Sequence, residues 1–264
     1  MGKPRYTAII SAVMALAVCA MTAGRVNAAD NKASAREKEL KLISVLQSDA
    51  PAAEKAITCK QLAIYGNKEA VPALAALLPN KDLSSWARIA LEAIPDPAAD
   101  EALREAMGKV QGRLLVGVIN SIGYRRDAKA VDGLVQQLKN PDEEVASCAA
   151  AALGRIGGEK AAATLAAALA SVPTAVRPAV AEGCIYCAER FLAGGNREKA
   201  IQLYDAVRKT ELPKQRILEA TRGAILARQS AGIPLLVETL RSPDKAMFGI
   251  ALRTARELSE GQVT

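Results

Sequence analysis

The segment from Asp142 to Leu169 has the pattern of two short helices joined by a glycine pair, and altered copies of it lie on both sides along the chain. Asp142 is a favourable N-cap for the first helix. The Gly157-Gly158 pair ends that helix, because glycine tolerates the left-handed backbone. Neither helix has an apolar face wide enough to fold alone, so each pair must stack on neighbouring pairs.

Leucines in the first helix of each pair recur about every 30 residues. Their positions are Leu74, Leu103, Leu134, Leu165, Leu203 and Leu236, with gaps by subtraction of 29, 31, 31, 38 and 33 residues. A two-helix repeat of this length is typical of an α-solenoid, in which each unit contacts mainly its neighbours. No segment shows the alternation of a strand. We therefore expect an all-α superhelix of about six to seven helical hairpins over residues 37–260.

Local patterns also predict the surroundings of individual side chains. Trp86 and Ile89 share a helical face with Ala90, and Trp86 aligns with Val145 of the central repeat, which favours the core over an exposed anchor for a partner. Arg125, which precedes Arg126-Asp127, is expected in a solvated turn.

Composition excludes several classes of function. The chain has 264 residues, half of them hydrophobic, but only 3% aromatic and no histidine. Without histidine, the commonest general base and the commonest zinc ligand are missing. Of the net charge of +7, three positive charges lie in the first 29 residues, which leaves 32 basic against 28 acidic residues. This balance and the scarcity of aromatic residues argue against nucleic-acid binding.

The first 28 residues have the three parts of a secretory signal peptide. Lys3 and Arg5 precede an apolar run over residues 7–24, and Val26-Asn27-Ala28 offers a cleavage site. We expect cleavage near Ala28, a flexible mature N-terminus over residues 29–36, and a secreted or periplasmic protein. The alternative is an uncleaved membrane anchor, the only case in which we expect membrane contact.

The central repeat also carries a family motif. Its residues are Val145, Ala149, Ala150, Ala152, Leu153, Gly154, Ile156 and Gly157, followed by Ala162, Leu165 and Leu169. They resemble a HEAT repeat of the short, armadillo-like type found also in bilin-lyase-like proteins, with a weaker copy around residues 66–94. Residues 196–228 are more similar to a tetratricopeptide unit. The whole chain resembles secreted HEAT-repeat proteins of planctomycete-type bacteria, some of which carry a further C-terminal domain for carbohydrate breakdown.

The resemblance implies that the second helices line a concave surface. Six arginines are predicted on them: Arg88, Arg113, Arg155, Arg177, Arg222 and Arg253. One interpretation is a basic row that faces an acidic partner protein. The alternative is that each arginine pairs with an acidic residue of the next repeat, as surface ion pairs commonly do.

Cys184 and Cys187 form a C-x-x-C pair within a predicted helix. The pair has no following histidine for haem attachment, and it does not begin a helix, where the helix dipole would lower the pKa of a thiol. Alignment to Leu153 and Ile156 favours two buried small residues. A disulfide is the alternative in an oxidising compartment.

No catalytic, cofactor-binding or metal-binding constellation is predicted. We expect a non-catalytic exported scaffold that binds another protein through the concave row of second helices. Two alternatives remain open: the repeat region of a larger sugar-hydrolase-type protein, or a lyase-like repeat protein acting on a small molecule. Because residues 260–264 supply no polar capping helix, we expect the native chain to continue, and any catalysis to lie in such a further domain.

Overall fold

The structure is a computed structural model, and it describes residues 34–258. The predicted signal peptide of residues 1–28 lies outside the described residues, as do residues 29–33 and the last residues of the predicted solenoid. Within 34–258 all regular structure is helical. The helices are α1 (34–47), α2 (Ala52–Tyr65), α3 (Val71–Ala75), α4 (Ser84–Ala93), α5 (Pro97–Met107), α6 (Gly112–Arg125), α7 (Val131–Gln137), α8 (Glu143–Ile156), α9 (Glu159–Ala168), α10 (Arg177–Ala193), α11 (Arg197–Arg208), α12 (Lys214–Arg228), α13 (Ile233–Leu240) and α14 (Lys245–Glu257).

The helices pack in sequence order, as an α-solenoid requires. The second helices of the hairpins form a row in which each one contacts the next: α2, α4, α6, α8, α10, α12 and α14. The first helices form a second layer beside this row, in which α3 contacts α5 and α9 contacts both α7 and α11. These contacts confirm the predicted all-α superhelix, with seven hairpins in the described part of the chain.

The second helices, which the resemblance predicts on the concave side, form the more closely packed of the two layers. These helices contact one another more extensively than the first helices do, because small residues allow a close approach. At the α8–α10 contact, a Cβ added to Gly154 would lie 2.5 Å from the Cα of Gly183. At the α6–α8 contact, a Cβ on Gly123 would lie 3.0 Å from the Cα of Ala152. We call the exposed side of the second helices the inner surface.

Burial corrects the predicted alignment of α4. In α8 the core positions are Val145, Ala149, Leu153 and Ile156. In α4 the residues that match this spacing are Leu83, Ala87, Leu91 and Ile94, all buried and each 62 residues earlier. Trp86 therefore corresponds to Cys148 and not to Val145. The prediction that Trp86 and Ile89 lie in the core was wrong, since their exposed fractions are 39% and 48%.

Helix ends follow the expected chemistry, with small differences in length. The side chain of Asp142 accepts hydrogen bonds from the amides of Glu144 and Val145, and Gly157 and Gly158 have φ of 72° and 88° where α8 ends. Residues 34–36, predicted to be flexible, already belong to α1. Short 3₁₀ turns precede α3, α7 and α13.

Arg125 connects two repeats from a nearly buried position. Its guanidinium donates to the backbone carbonyls of Leu91 (2.8 Å) and Ile94 (2.6 Å), where α4 ends. It also forms a two-point ion pair with Asp100 of α5, at 2.5 and 3.1 Å. The side chain is only 10% exposed, so the prediction of a solvated turn was wrong for this residue. The orphan carbonyls of α4 supply the acceptors that hold Arg125 in place.

Candidate binding surface

The six predicted arginines do not form a continuous row. Three of them are exposed, namely Arg113, Arg155 and Arg253. When the buried patterns are superposed, Arg88 and Arg177 fall where α8 has the buried residues Ala150 and Ala146. Their side chains therefore start from the core-facing side of their helices.

Arg88 belongs to the packing between α4 and α6. Its Nη1 donates to the carbonyl of Gly117 (3.0 Å) and to the Oγ of Ser121 (3.1 Å), while the Ser121 hydroxyl donates to Glu92 (2.6 Å). Gly117 leaves room for the guanidinium, because a Cβ there would lie 2.7 Å from Arg88 Nε. Burial lowers the pKa of Arg88, and Glu92 opposes that effect. This arginine is not available to a partner.

Two further arginines are also engaged. Arg222 forms a two-point ion pair with Glu257 of the next repeat, and this contact raises the pKa of Arg222 and lowers that of Glu257. Arg177 donates from Nε to the carbonyl of Val172, at 3.4 Å. The Arg222–Glu257 contact is an ion pair between successive repeats, which was the alternative to partner binding for these arginines.

Arg155 lies between two tyrosines at equivalent positions of successive repeats. Tyr124 of α6 and Tyr186 of α10 are each 31 residues away from Arg155 of α8, so the three exposed side chains occupy equivalent positions of neighbouring second helices. They line an open cleft of about 650 Å³, together with Gly123 and Gly154. Sequence reasoning missed both tyrosines, although their spacing from Arg155 matches the repeat.

Charges in this cleft, which we call the tyrosine cleft, are mainly positive. Arg126 and Arg190 also line it, and Glu189 is the one acidic residue in its lining. The guanidinium of Arg190 donates to the backbone carbonyl of Arg155, which satisfies an orphan carbonyl of α8. Partial burial raises the pKa of Glu189, while Arg222 nearby opposes that effect.

Arg126 holds its position in the cleft through an unusual backbone conformation. It caps the C-terminus of α6 with φ of 55° and ψ of 41°, a left-handed conformation that favours glycine or asparagine. Its side chain is exposed at the edge of the cleft.

The adjoining cleft between α10, α12 and α14 has a different electrostatic character. It has a volume of about 400 Å³ and shares Tyr186 and Glu189 with the tyrosine cleft. Here the charges largely neutralise one another, because Arg216 pairs with Glu182 (2.8 Å) and Glu219 (2.6 Å).

Four large apolar side chains are exposed on the inner surface of α2 and α4. Ile57 of α2 and Trp86 of α4 occupy equivalent positions, and Ile64 and Ile89 lie on the same exposed faces. We call these four side chains the apolar patch. Exposed large apolar groups at this density are typical of a contact surface.

Cys184 and Cys187 are free thiols buried in α10. Burial raises the pKa of both thiols, that of Cys187 to about 11. A thiol with a raised pKa holds little thiolate near neutral pH, so the pair is poorly suited to thiol exchange in the folded state.

Two features are absent from residues 34–258. No group of three or more acidic or cysteine side chains there is arranged to hold a metal ion. No helix in that range combines the length and apolar character needed to cross a membrane.

Part of the chain matches a known repeat family. Residues 111–184 match the family described as HEAT repeats. No curated protein matches the chain. An engineered protein from the Northeast Structural Genomics Consortium is similar at 20% identity and a TM-score of 0.43, covering 83% of this chain and 67% of that one. Human deoxyhypusine hydroxylase, solved with glycerol, is similar at 17% identity and a TM-score of 0.36, covering 81% of this chain and 83% of that one.

Proposed function

From its HEAT-repeat solenoid we propose that this protein is a non-catalytic scaffold that binds another protein through its inner surface. A solenoid presents a long curved surface in place of a deep enclosed pocket, which suits an extended partner. The observation that carries the proposal is the apolar patch next to the tyrosine cleft, because exposed aromatic, aliphatic and arginine side chains are the usual anchors of protein interfaces.

The chemistry of the inner surface also supports binding over catalysis. Glu189 is the one carboxylate in the lining of the tyrosine cleft, and of its two tyrosines Tyr186 already donates its hydroxyl to Glu182. In the adjoining cleft, Glu182 and Glu219 are both held by Arg216. Acid–base catalysis generally needs two groups with different roles at one reacting centre.

We place the scaffold outside the cytoplasm, on the strength of the signal-like residues 1–28. Fusing these residues to a reporter enzyme that is active only after export should give activity in the periplasm or medium. The mature protein should begin near Ala29 by N-terminal sequencing. Retention of the reporter inside the cell would contradict export but not the binding role.

Site-specific photo-crosslinking tests the binding role. A photoreactive residue in place of Ile89, on the inner surface, should capture one defined partner in cells of the source organism. The matched control is Gln136, an exposed position on the first helix α7, which should give no such product. Equal capture from both positions, or none from Ile89 in correctly folded protein, would refute a binding role for the inner surface.

A further inference from the structure

We propose that the tyrosine cleft binds an extended acidic segment of the partner protein, with carboxylates paired to Arg126, Arg155 and Arg190. This inference rests on the proposed scaffold function and assigns the chemistry of the segment that is bound. It selects one part of the inner surface, between α6 and α10, as the site that discriminates among partners.

The positive charge of the cleft favours an acidic ligand. Three guanidinium groups and the carboxylate of Glu189 line it, which leaves an excess of two positive charges. Within residues 34–258 none of these three guanidinium groups forms an ion pair, whereas Arg216 and Arg222 on the same row do. An arginine fork matches a carboxylate in a two-point contact, so this cleft is complementary to aspartate and glutamate side chains.

The two tyrosines of the cleft provide a contact surface for the bound segment. Tyr124 and Tyr186 line the cleft on either side of Arg155 and are both exposed, and a tyrosine ring loses little conformational entropy when it is covered. The hydroxyl of Tyr186 donates to Glu182 at 3.0 Å, which fixes the orientation of that ring. Gly123 and Gly154, where α6, α8 and α10 pack closely on one another, also line the cleft.

The apolar patch favours a peptide over a polyanionic sugar as the ligand. The patch lies on α2 and α4, next to the cleft on the same inner surface. A sulfated sugar could stack one ring on Trp86 but has no aliphatic side chains to cover the three exposed isoleucines of the patch. Two helix-to-helix steps separate α4 from α8, about 18 Å at the usual spacing of packed helices. An extended chain spans this distance with about six residues. The ligand is thus a segment in which apolar residues and an acidic cluster are about six residues apart.

Fluorescence anisotropy with a defined probe tests this assignment. The probe is a fluorescein-labelled peptide of about twelve residues, with a Leu-Phe pair and a Glu-Asp-Glu cluster separated by about six residues. We expect saturable binding to the full chain that weakens when the salt concentration rises from about 50 to about 300 mM. A peptide with lysines in place of the acidic cluster should not bind.

Arginine variants locate the site. Arg155→Glu should weaken binding of the probe by about tenfold or more, because it replaces an attraction with a repulsion. Arg113→Glu is the matched control, since it makes the same change in net charge on an exposed residue of α6 outside the cleft. It should change the dissociation constant by less than about twofold, as expected of a charge beyond the range of direct contact. Arg155→Gln gives a neutral variant, and circular dichroism verifies that all three variants fold.

Three outcomes would overturn the inference. The first is equal weakening by Arg113→Glu and Arg155→Glu, which would mean general electrostatic attraction. The second is tighter, Arg155-dependent binding of a sulfated oligosaccharide than of the peptide. The third is no peptide binding while a photoreactive residue at position 89 still captures a protein partner. In that last case the scaffold function stands and only the acidic segment is rejected.

Discussion

The inner surface differs sharply between its N-terminal and central parts. On α2 and α4 it exposes the apolar patch, whereas on α6, α8 and α10 it exposes Tyr124, Arg155 and Tyr186 with further arginines around them. Beneath both parts the core positions have the same spacing and hold small or aliphatic residues. The repeat therefore specifies the solenoid through its core positions and leaves the exposed positions free to specify binding, since each helix needs only one buried face to stack.

The largest expected effect is at the junction between the two parts, where Arg125 connects α6 to α4 and α5. Arg125→Ala leaves the carboxylate of Asp100 and the final carbonyls of α4 without their donor. We expect the free energy of unfolding to fall by about 3 kcal/mol, as when one partner of a largely buried ion pair is removed. Urea denaturation followed by circular dichroism measures it.

The neighbouring variant Arg126→Ala is the control for this change. Arg126 is exposed, so its replacement should alter stability by less than about 0.5 kcal/mol. If Arg125→Ala were equally mild, Arg125 would not be needed to join the two parts.

The second effect tests the close helix contacts of the central part. Gly154→Ala places a Cβ 2.5 Å from the Cα of Gly183, a contact with backbone that cannot relax without moving α8 or α10. We expect a loss of about 2 kcal/mol, as in overpacked cores. Gly249→Ala is the matched change in α14, where the added Cβ meets nothing within 4 Å. It should stabilise the protein by up to about 1 kcal/mol, because alanine favours helix. A mild Gly154→Ala would mean that the helix spacing is not set by glycine.

The third effect compares the opening of the two parts directly. Cys59 of α2 and Cys184 of α10 are both fully buried, and burial raises the pKa of both thiols, that of Cys59 to about 11. Labelling at pH 8 therefore needs local opening. We expect Cys59 to react about tenfold faster, because repeats near the end of a solenoid open more easily than central ones.

A pulse of N-ethylmaleimide with peptide mapping by mass spectrometry reports each thiol separately. Cys148, which is half-buried, should react faster than Cys184. Equal rates at Cys59 and Cys184 would mean that the solenoid opens as one unit.

The smallest effect is a pH dependence at the C-terminal end. Arg222 holds the pKa of Glu257 below its ordinary value of 4.5. The stabilisation by this pair is therefore fully present above pH 4.5 and is lost as the pH falls through the lowered pKa. Since both side chains are partly exposed, we expect less than about 0.5 kcal/mol. Comparing the unfolding of Glu257→Gln with the unaltered chain at pH 7 and pH 3 measures it, and a difference that persisted at pH 3 would contradict the assignment.

Much of the fold could be predicted from the sequence, because its signals are local. The repeated leucines, the N-cap at Asp142 and the Gly157-Gly158 pair indicate where helices begin and end. The alignment of α4 failed by three residues, because Trp86 looks like a core residue while the true core residue, Leu83, lies just before the helix. An apolar side chain on the inner surface imitates the core pattern, so periodicity alone cannot separate them.

The candidate site was predicted less well, because its contacts are not local. Arg155 was predicted on the surface, and the one signal for Tyr124 and Tyr186 is their spacing of 31 residues from it, which matches the repeat. Arg88 and Arg125 could not be placed by pattern, since their partners are carbonyls and hydroxyls about thirty residues away. Such contacts depend on how one repeat is seated against the next.

At Arg126, which has a left-handed backbone, the stability of the fold and the binding of a ligand favour different residues. A glycine there would relax the chain at the end of α6, by up to about 1 kcal/mol. The same replacement would remove a cation from the edge of the tyrosine cleft. Selection for thermal stability alone would therefore favour Arg126→Gly. The same substitution would weaken the ability of the proposed binding surface to distinguish one ligand from another.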